Sequence, residues 1–318
     1  MDPKPSTYDL ALIARYPTPP LAILISGATG LIGSALAALL GAAGHRVVRL
    51  VRGENPAENE IAWNPAAERL DPARLEGFDA VIHLAGENIA GRWTEEKKRR
   101  IRDSRIRGTR LLSAALSRLA RKPRVLICAS ATGYYGNRGE EILTEASPFG
   151  EGFLARLCRD WEAATEPAAA AGIRVVNLRL GMVLSPKGGA LATMLRPFKL
   201  GLGGPLGDGR QYVSWIALED VIGVTVHALL SESLAGPVNA VTPNAVRNRE
   251  FARTLGDVLG RPALLPAPAF VLRALFNGLA DEVLLAGARV LPEKLERTNY
   301  TFFLPELENA LRTMLGRS

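Results

Sequence analysis

The chain of 318 residues reads as an α/β protein in which a doubly wound parallel sheet carries a smaller C-terminal α/β lobe. Three observations predict this. Short apolar runs alternate with helical stretches as far as Leu180, a pattern that covers both faces of a parallel sheet with helices. The first run, from Ile23, passes straight into the turn Gly27-Ala28-Thr29-Gly30-Leu31-Ile32-Gly33 and then into a helix rich in alanine and leucine. Beyond Leu180 the texture becomes loop-rich, with glycines from Gly201 to Gly209 and with Pro262, Pro266, Pro268 and Pro292 as punctuation.

Taken in order, residues 1–20 form an N-terminal extension. It contains Lys4, Asp9, Arg15 and several prolines, and its one apolar run, Leu10 to Ala14, is too short for the core of a signal peptide. Loose packing is expected there. Strands are expected at 23–26, 47–51, 80–84, 125–129 and 175–179, and helices at 31–43, 95–119 and 154–171. Right-handed crossovers between such strands give a Rossmann-type domain over residues 21–180, with part of 210–245 returning to it. Residues 181–318 then make up most of the substrate lobe. Ligands of such sheets sit at the carboxyl ends of the strands.

The turn at 27–33 predicts a dinucleotide site. Gly27 allows the tight bend, Gly30 lets backbone approach a pyrophosphate, and Gly33 lets the helix pack on the strand, so that the N–H groups of the helix start meet phosphate oxygens. The spacing is Gly-x-x-Gly-x-x-Gly rather than Gly-x-Gly-x-x-Gly, and the strand-turn-helix-strand context supports the reading. Cofactor-binding residues are expected at Gly27, Thr29, Gly30, Leu31, Ile32 and Gly33. The second strand ends Val51-Arg52-Gly53 with no acid before Glu54. A carboxylate there would repel a 2′-phosphate, whereas the Arg52 guanidinium forks onto it, which favours NADP(H) over NAD. The plainer alternative is that Arg52 is a solvated strand-end cation. The third strand runs out through Leu84, Ala85, Gly86 and Glu87, where small residues let backbone lie along the cofactor and Glu87 could accept from a ribose or a nicotinamide amide.

Composition excludes several classes. The net charge is +7, but much of the basic excess falls between Lys97 and Arg110 with Ile101, Ile106 and Leu111 at helical intervals, a solvated helix face rather than a nucleic-acid module. Cys128 and Cys158 form no Cys-x-x-Cys pair, and His45, His83 and His227 lie in separate elements, so neither a disulfide framework nor a metal site is expected. No apolar stretch is long enough to span a membrane. A reducing, cytoplasmic setting is the expectation.

These pieces together resemble the extended branch of the short-chain dehydrogenase/reductase superfamily, the NAD(P)-dependent epimerase/dehydratase group. The likeness runs from Leu21 almost to the end: the turn 27–33, His83-Leu84-Ala85-Gly86, Gly108-Thr109-Arg110-Leu111-Leu112, Arg179-Leu180-Gly181-Met182-Val183, and the stretch from Val213 to Val221. Ala85-Gly86-Glu87-Asn88-Ile89, Ala131-Thr132-Gly133-Tyr134-Tyr135-Gly136, Gln211-Tyr212-Val213-Ser214-Trp215-Ile216 and Leu291-Pro292-Glu293-Lys294-Leu295 look like a subfamily of unassigned substrate with a C-terminal domain of unknown function. The resemblance implies an NADP-binding protein of the reduce-or-epimerise type, with a small-molecule substrate and a homodimer formed through helices 95–119 and 154–171.

One departure matters. The group carries Tyr-x-x-x-Lys beyond the active-site hydroxyl, with the lysine lowering the phenol pKa, but here the equivalent stretch, Phe153 to Glu162, has neither residue. Ser130 fits the hydroxyl that would orient a carbonyl, and Thr132 is the other candidate because Gly133 leaves the register open by one. Tyr135 is the remaining proton donor, or Tyr134 if the loop turns the other way. Gln211, Tyr212 and Trp215 fall where a substrate pocket would be lined, Arg179 could reach a phosphate or Asp220, and Asp220 reads as a helix N-cap. Two functions follow: an NADP-dependent oxidoreductase or epimerase acting on a carbonyl, alcohol or nucleotide-sugar type of substrate, and an NADP(H)-sensing protein that acts through a partner.

Overall fold

The structure, a computed structural model, describes residues 7–53 and 55–317. In chain order the elements are α1 (Thr7–Arg15), β1 (Ala22–Ser26), α2 (Leu31–Ala42), β2 (Arg46–Val51), β3 (Glu60–Ala62), β4 (Ala80–His83), α3 (Glu95–Ser117), β5 (Val125–Ala131), β6 (Ile142–Leu143), α4 (Phe153–Ala163), α5 (Glu166–Ala170), β7 (Arg174–Leu180) and β8 (Met182–Leu184). There follow α6 (Gly189–Lys199), β9 (Tyr212–Val213), β10 (Trp215–Ala217), α7 (Leu218–Leu230), β11 (Gly236–Ala240), β12 (Val246–Arg247), α8 (Asn248–Leu259), α9 (Ala269–Phe276), β13 (Arg289–Val290), α10 (Glu293–Arg297) and α11 (Leu307–Leu315).

The main sheet has the order β11-β7-β5-β4-β1-β2-β3, and every pairing in it is parallel. Strand order reverses between β1 and β4, so a crevice opens outside their carboxyl ends, the place where such sheets bind ligands. One face packs Ile23, Ile25, Ile82, Ile127 and Val176 against α2 and α7. The other packs Leu24, Val81, Leu126 and Val175 against α3 and α5. A separate core around Leu191, Phe198, Trp215, Phe251 and Leu311 joins α6, α8 and α11 to the β8–β10 pair.

The five expected strands form within one or two residues of their expected ends. The two sheet edges went unforeseen: β3 is three residues long, and Gly236 and Pro237 in β11 are weak strand formers. Proline lacks a ladder donor, and β11 accommodates Pro237 because it is the outermost strand. The helix expected over 154–171 is two helices, since Pro167 cannot donate to the Ala163 carbonyl and the chain breaks between Ala163 and Glu166.

The N-terminal extension also differs from expectation. Residues 1–6 lie outside the described residues, but from Thr7 the chain forms α1, with Leu12 buried against α7, the Arg15 guanidinium 4.3 Å from the centre of the Phe303 ring, and the Tyr16 hydroxyl 3.0 Å from His227 Nδ1. The apolar run that is too short for a signal peptide supplies the buried side of this helix. Among the described residues no helix is long and apolar enough to cross a membrane.

Candidate functional site

The site is built at the reversal point of the sheet, beginning with the turn after β1. Gly27 has φ +71°, and a Cβ there would lie 2.7 Å from the Leu84 carbonyl carbon and 2.8 Å from the Ala85 nitrogen. Only glycine therefore lets the turn cross over the exit of β4. The Gly30 N–H donates to the Gly27 carbonyl at 3.0 Å and closes the bend. A Cβ on Gly33 would fall 2.2 Å from the Gly27 oxygen, so the first turn of α2 lies directly on the loop. Gly30 caps α2 with no side-chain hydrogen bond, and the first turn has no acidic residue. The donors at the helix start are thus left open to an anion. Thr29 and Gly30 are exposed beside them, while Leu31 and Ile32 are half-buried. A Cβ on Gly188, in the loop before α6, would be 3.5 Å from Leu31 Cδ1, so the C-terminal lobe borders the same helix start.

Beneath the turn lies a buried polar chain. Ser26 Oγ is 2.6 Å from His83 Nδ1, His83 Nε2 is 3.0 Å from Thr109 Oγ1, and the Trp161 indole N–H donates to Thr109 at 2.9 Å. His83 is fully buried, and burial pushes its pKa down to about 4, so the ring is neutral. The chain fixes β1, β4, α3 and α4 around the crevice. At the exit of β4, the Ala85 N–H points toward Ser26 Oγ at 3.4 Å. The Glu87 carboxylate is engaged by Lys97 at 2.8 Å and approached by Arg100 at 3.7 Å, and the Lys97 hydrogen bond holds its pKa below the usual value. Glu87 is thus placed as an ion-pair partner of α3. Gly86 is open on one side, and on the other a Cβ would meet the Arg105 guanidinium carbon at 3.2 Å.

Arg52 is exposed at the end of β2 and makes no hydrogen bond or ion pair among the described residues. It borders a groove of about 250 Å³ lined also by Trp63, Asn64, Arg69 and Asp71. Glu54 lies outside the described residues.

The hydroxyls expected to do chemistry sit at the end of β5, where Ser130 is in register with Arg179 on β7 and Arg179 with Asn239 on β11. Ser130 is buried and donates to Glu162 at 2.7 Å. Arg179 grips the same carboxylate with two hydrogen bonds of 2.8 Å. Burial opposes the charge of Arg179, and the Glu162 hydrogen bonds outweigh it, raising its pKa further. Ser130 is therefore turned into the protein, its proton committed to a carboxylate. Tyr135 is turned in as well. The 3-10 turn Thr132–Tyr135 rotates the phenol into the core, where it receives a hydrogen bond from Arg179 at 2.9 Å and donates to Asn239 at 2.6 Å. Burial pushes the Tyr135 pKa up to about 12, against the pull of Arg179. Of the expected phenols, Tyr134 is the half-buried one: its ring lies 3.4 Å from the Arg179 guanidinium carbon, and its hydroxyl has no hydrogen-bond partner among the described residues. Thr132 is half-buried, with only a 3.4 Å contact to the Leu180 carbonyl.

Glu162, Asn239 and Glu145 were not singled out from the sequence. Glu145 accepts from the backbone N–H groups of Asn239 and Lys294, which ties the network to α10. Polar residues in largely apolar strands at Ser130, Arg179 and Asn239 were the available signal, but their shared row depends on strand register. Gln211 is spent on the carbonyls of Leu206 and Leu284, and the Trp215 indole is buried on the Asn244 carbonyl. Tyr212 lies between Arg247 and Arg289. Asp220 is not an N-cap: it is the third residue of α7, fully buried, and takes hydrogen bonds from Phe303 N, Leu304 N and the Tyr300 hydroxyl.

The profile of the NAD dependent epimerase/dehydratase family matches residues 23–240, a span that holds both the glycine turn and the β5 end. The chain belongs to this family. A domain of unknown function, DUF1731, matches residues 267–314, in line with the expected C-terminal domain. An epimerase family protein of Mycobacterium tuberculosis (strain CDC 1551 / Oshkosh) is 46% identical over 290 residues, covering 91% of this chain and 96% of its own. The crystal structure of human epimerase family protein SDR39U1 with NADPH superposes with a TM-score of 0.85 at 36% identity, covering 94% of this chain and 100% of that one. The nucleoside-diphosphate sugar epimerase of Corynebacterium glutamicum has a TM-score of 0.81 at 36% identity, covering 97% of this chain and 62% of that longer one. Residues 1–22 precede the family match, and α1 falls among them.

Proposed function

We propose that the protein is an NADP(H)-dependent oxidoreductase or epimerase acting on a small carbonyl, alcohol or nucleotide-sugar type of substrate. The observation that carries this reading is the start of α2: an uncapped helix N-terminus over a cradle that a Cβ at Gly27 or Gly33 would fill. The residues fit a dinucleotide. The N–H groups at Leu31, Ile32 and Gly33 would hold the diphosphate, the exit of β4 from Leu84 to Gly86 would lie along the cofactor, and Arg52 would take the 2′-phosphate. Bound NADP(H) supplies reversible hydride transfer. At the β5 end, the Tyr134 hydroxyl, without a hydrogen-bond partner among the described residues, and Thr132, held only by a long 3.4 Å bond to the Leu180 carbonyl, are the groups that would hold or pass a proton, while Ser130, Glu162 and Arg179 are bound to one another. The human relative with NADPH supports the choice of cofactor. Titration with NADPH and NADH tests the reading: saturable binding with NADPH preferred is expected, and the absence of affinity for both would overturn it. In the Arg52→Ala variant NADPH binding weakens by about 1–3 kcal/mol, the cost of losing a charged hydrogen-bond partner, with NADH unchanged; equal losses for both would contradict the role of Arg52.

The closed state of Ser130 and Tyr135 favours a second reading, a protein that binds NADP(H) and signals through a partner. Stereospecific deuteride exchange from labelled NADPH into any member of a carbonyl panel supports the enzyme. Tight NADPH binding without exchange across the panel supports the sensor.

A further inference from the structure

We infer that Arg69 is a second specificity-determining residue, forming with Arg52 a two-arginine clamp for a phosphomonoester on the adenosine ribose. This rests on the reading that a phosphorylated dinucleotide lies along the start of α2. The two arginines are 17 positions apart in the sequence, and β3 together with a tight hairpin brings them to one groove. The Trp63 N–H donates to the Val51 carbonyl at 2.9 Å and pins the base of the hairpin to the end of β2. Asn64 and Arg69 then pair antiparallel, with backbone bonds of 2.8 and 2.9 Å around the 3-10 turn Pro65–Ala67. Glu68, at φ 53°, completes the reversal and delivers Arg69 beside Arg52.

The groove presents donors. Neither Arg52 nor Arg69 makes a side-chain hydrogen bond or an ion pair among the described residues. Asp71, the carboxylate lining the groove, is turned to its own backbone and accepts from Ala73 N at 3.0 Å. Asn64 likewise spends its side-chain oxygen on Ala67 N at 3.1 Å, leaving its amide N–H groups as donors. Both arginines line one groove, and a phosphomonoester, which carries close to two negative charges near neutral pH, can accept from two guanidinium forks at once. An unphosphorylated ribose offers the second fork only neutral hydroxyl oxygens, without the charge-assisted bond that a phosphate gives.

The experiment titrates the full chain with NADPH and NADH at fixed ionic strength, following binding by calorimetry. Arg69→Gln is expected to weaken NADPH about tenfold or more, the loss of a charge-assisted hydrogen bond, and to leave NADH within about twofold. Arg69→Lys keeps the charge without the fork and is expected to fall between wild type and Arg69→Gln. The Arg52→Gln/Arg69→Gln double variant is expected to bind the two coenzymes alike. Unchanged NADPH affinity in Arg69→Gln, or equal losses for both coenzymes, overturns the clamp while leaving NADP(H) binding intact. Wild-type protein that binds neither coenzyme overturns the functional reading and the clamp with it.

Discussion

His83 is held between Ser26 and Thr109, and burial keeps its imidazole neutral down to about pH 4. In the unfolded chain the ring takes a proton below its ordinary value of 6.5, whereas in the folded protein it does not until about 4. The unfolded state therefore binds more protons between those values, and stability falls as pH falls through that window. Between about pH 7.5 and about pH 5 this one group removes about 2 kcal/mol. Urea unfolding at the two pH values checks this: the wild type should lose more stability than His83→Gln, and equal pH dependence in both would contradict it. At the same scale, the sequence located the hydroxyls of Ser130, Thr132, Tyr134 and Tyr135 at a strand end but not their directions. Ser130 turned inward because a carboxylate from α4, 32 positions away, meets it there.

The strand-turn-helix of β1 and α2 was legible because its constraints are local: close approach of backbone to backbone demands glycine, and glycine is visible in the sequence. Gly33→Ala is expected to destabilise the protein by about 1–3 kcal/mol, as overpacking does, and to weaken NADPH binding, because the new Cβ must displace the Gly27 carbonyl. Gly41, in the same helix, has open space at its Cβ position, so Gly41→Ala should stabilise by about 0.5–1 kcal/mol. Thermal unfolding of the two variants should move in opposite directions. The break between α4 and α5 was equally local in origin, since Pro167 stood in the sequence, but helical periodicity on both sides masked it. The edge strands β3 and β11 carry too little apolar pattern to announce themselves, and pairing with β2 and β7 makes them strands.

For the molecule as a whole, Asp220 closes the fold by drawing in the segment that leads to α11. Its carboxylate takes two backbone N–H bonds and one hydroxyl from residues 80 or more positions away, while burial raises its pKa against those bonds. In Asp220→Asn one carboxylate oxygen becomes an amide, leaving a buried donor facing a donor at a cost of about 2–3 kcal/mol. Limited proteolysis should then cut near Phe303 in the variant and not in the wild type, with NADPH affinity unchanged in the folded fraction. On the same side α1 covers α7 through Leu12, a contact that periodicity within the N-terminal run could not reveal, because the receiving surface is made by Gly223 and Tyr300.

The sequence by itself determined the alternation that makes a parallel sheet, the glycine turn after its first strand and the cation at the end of its second. Each is encoded within a few consecutive residues. Only the tertiary structure decided which side chains share the far end of the sheet: strand register set Ser130, Arg179 and Asn239 in one row, and packing of α4 brought Glu162 onto them. A linear pattern carries no information about register between strands or about the partner a buried charge will find, and those two quantities shape the β5 end of the candidate site.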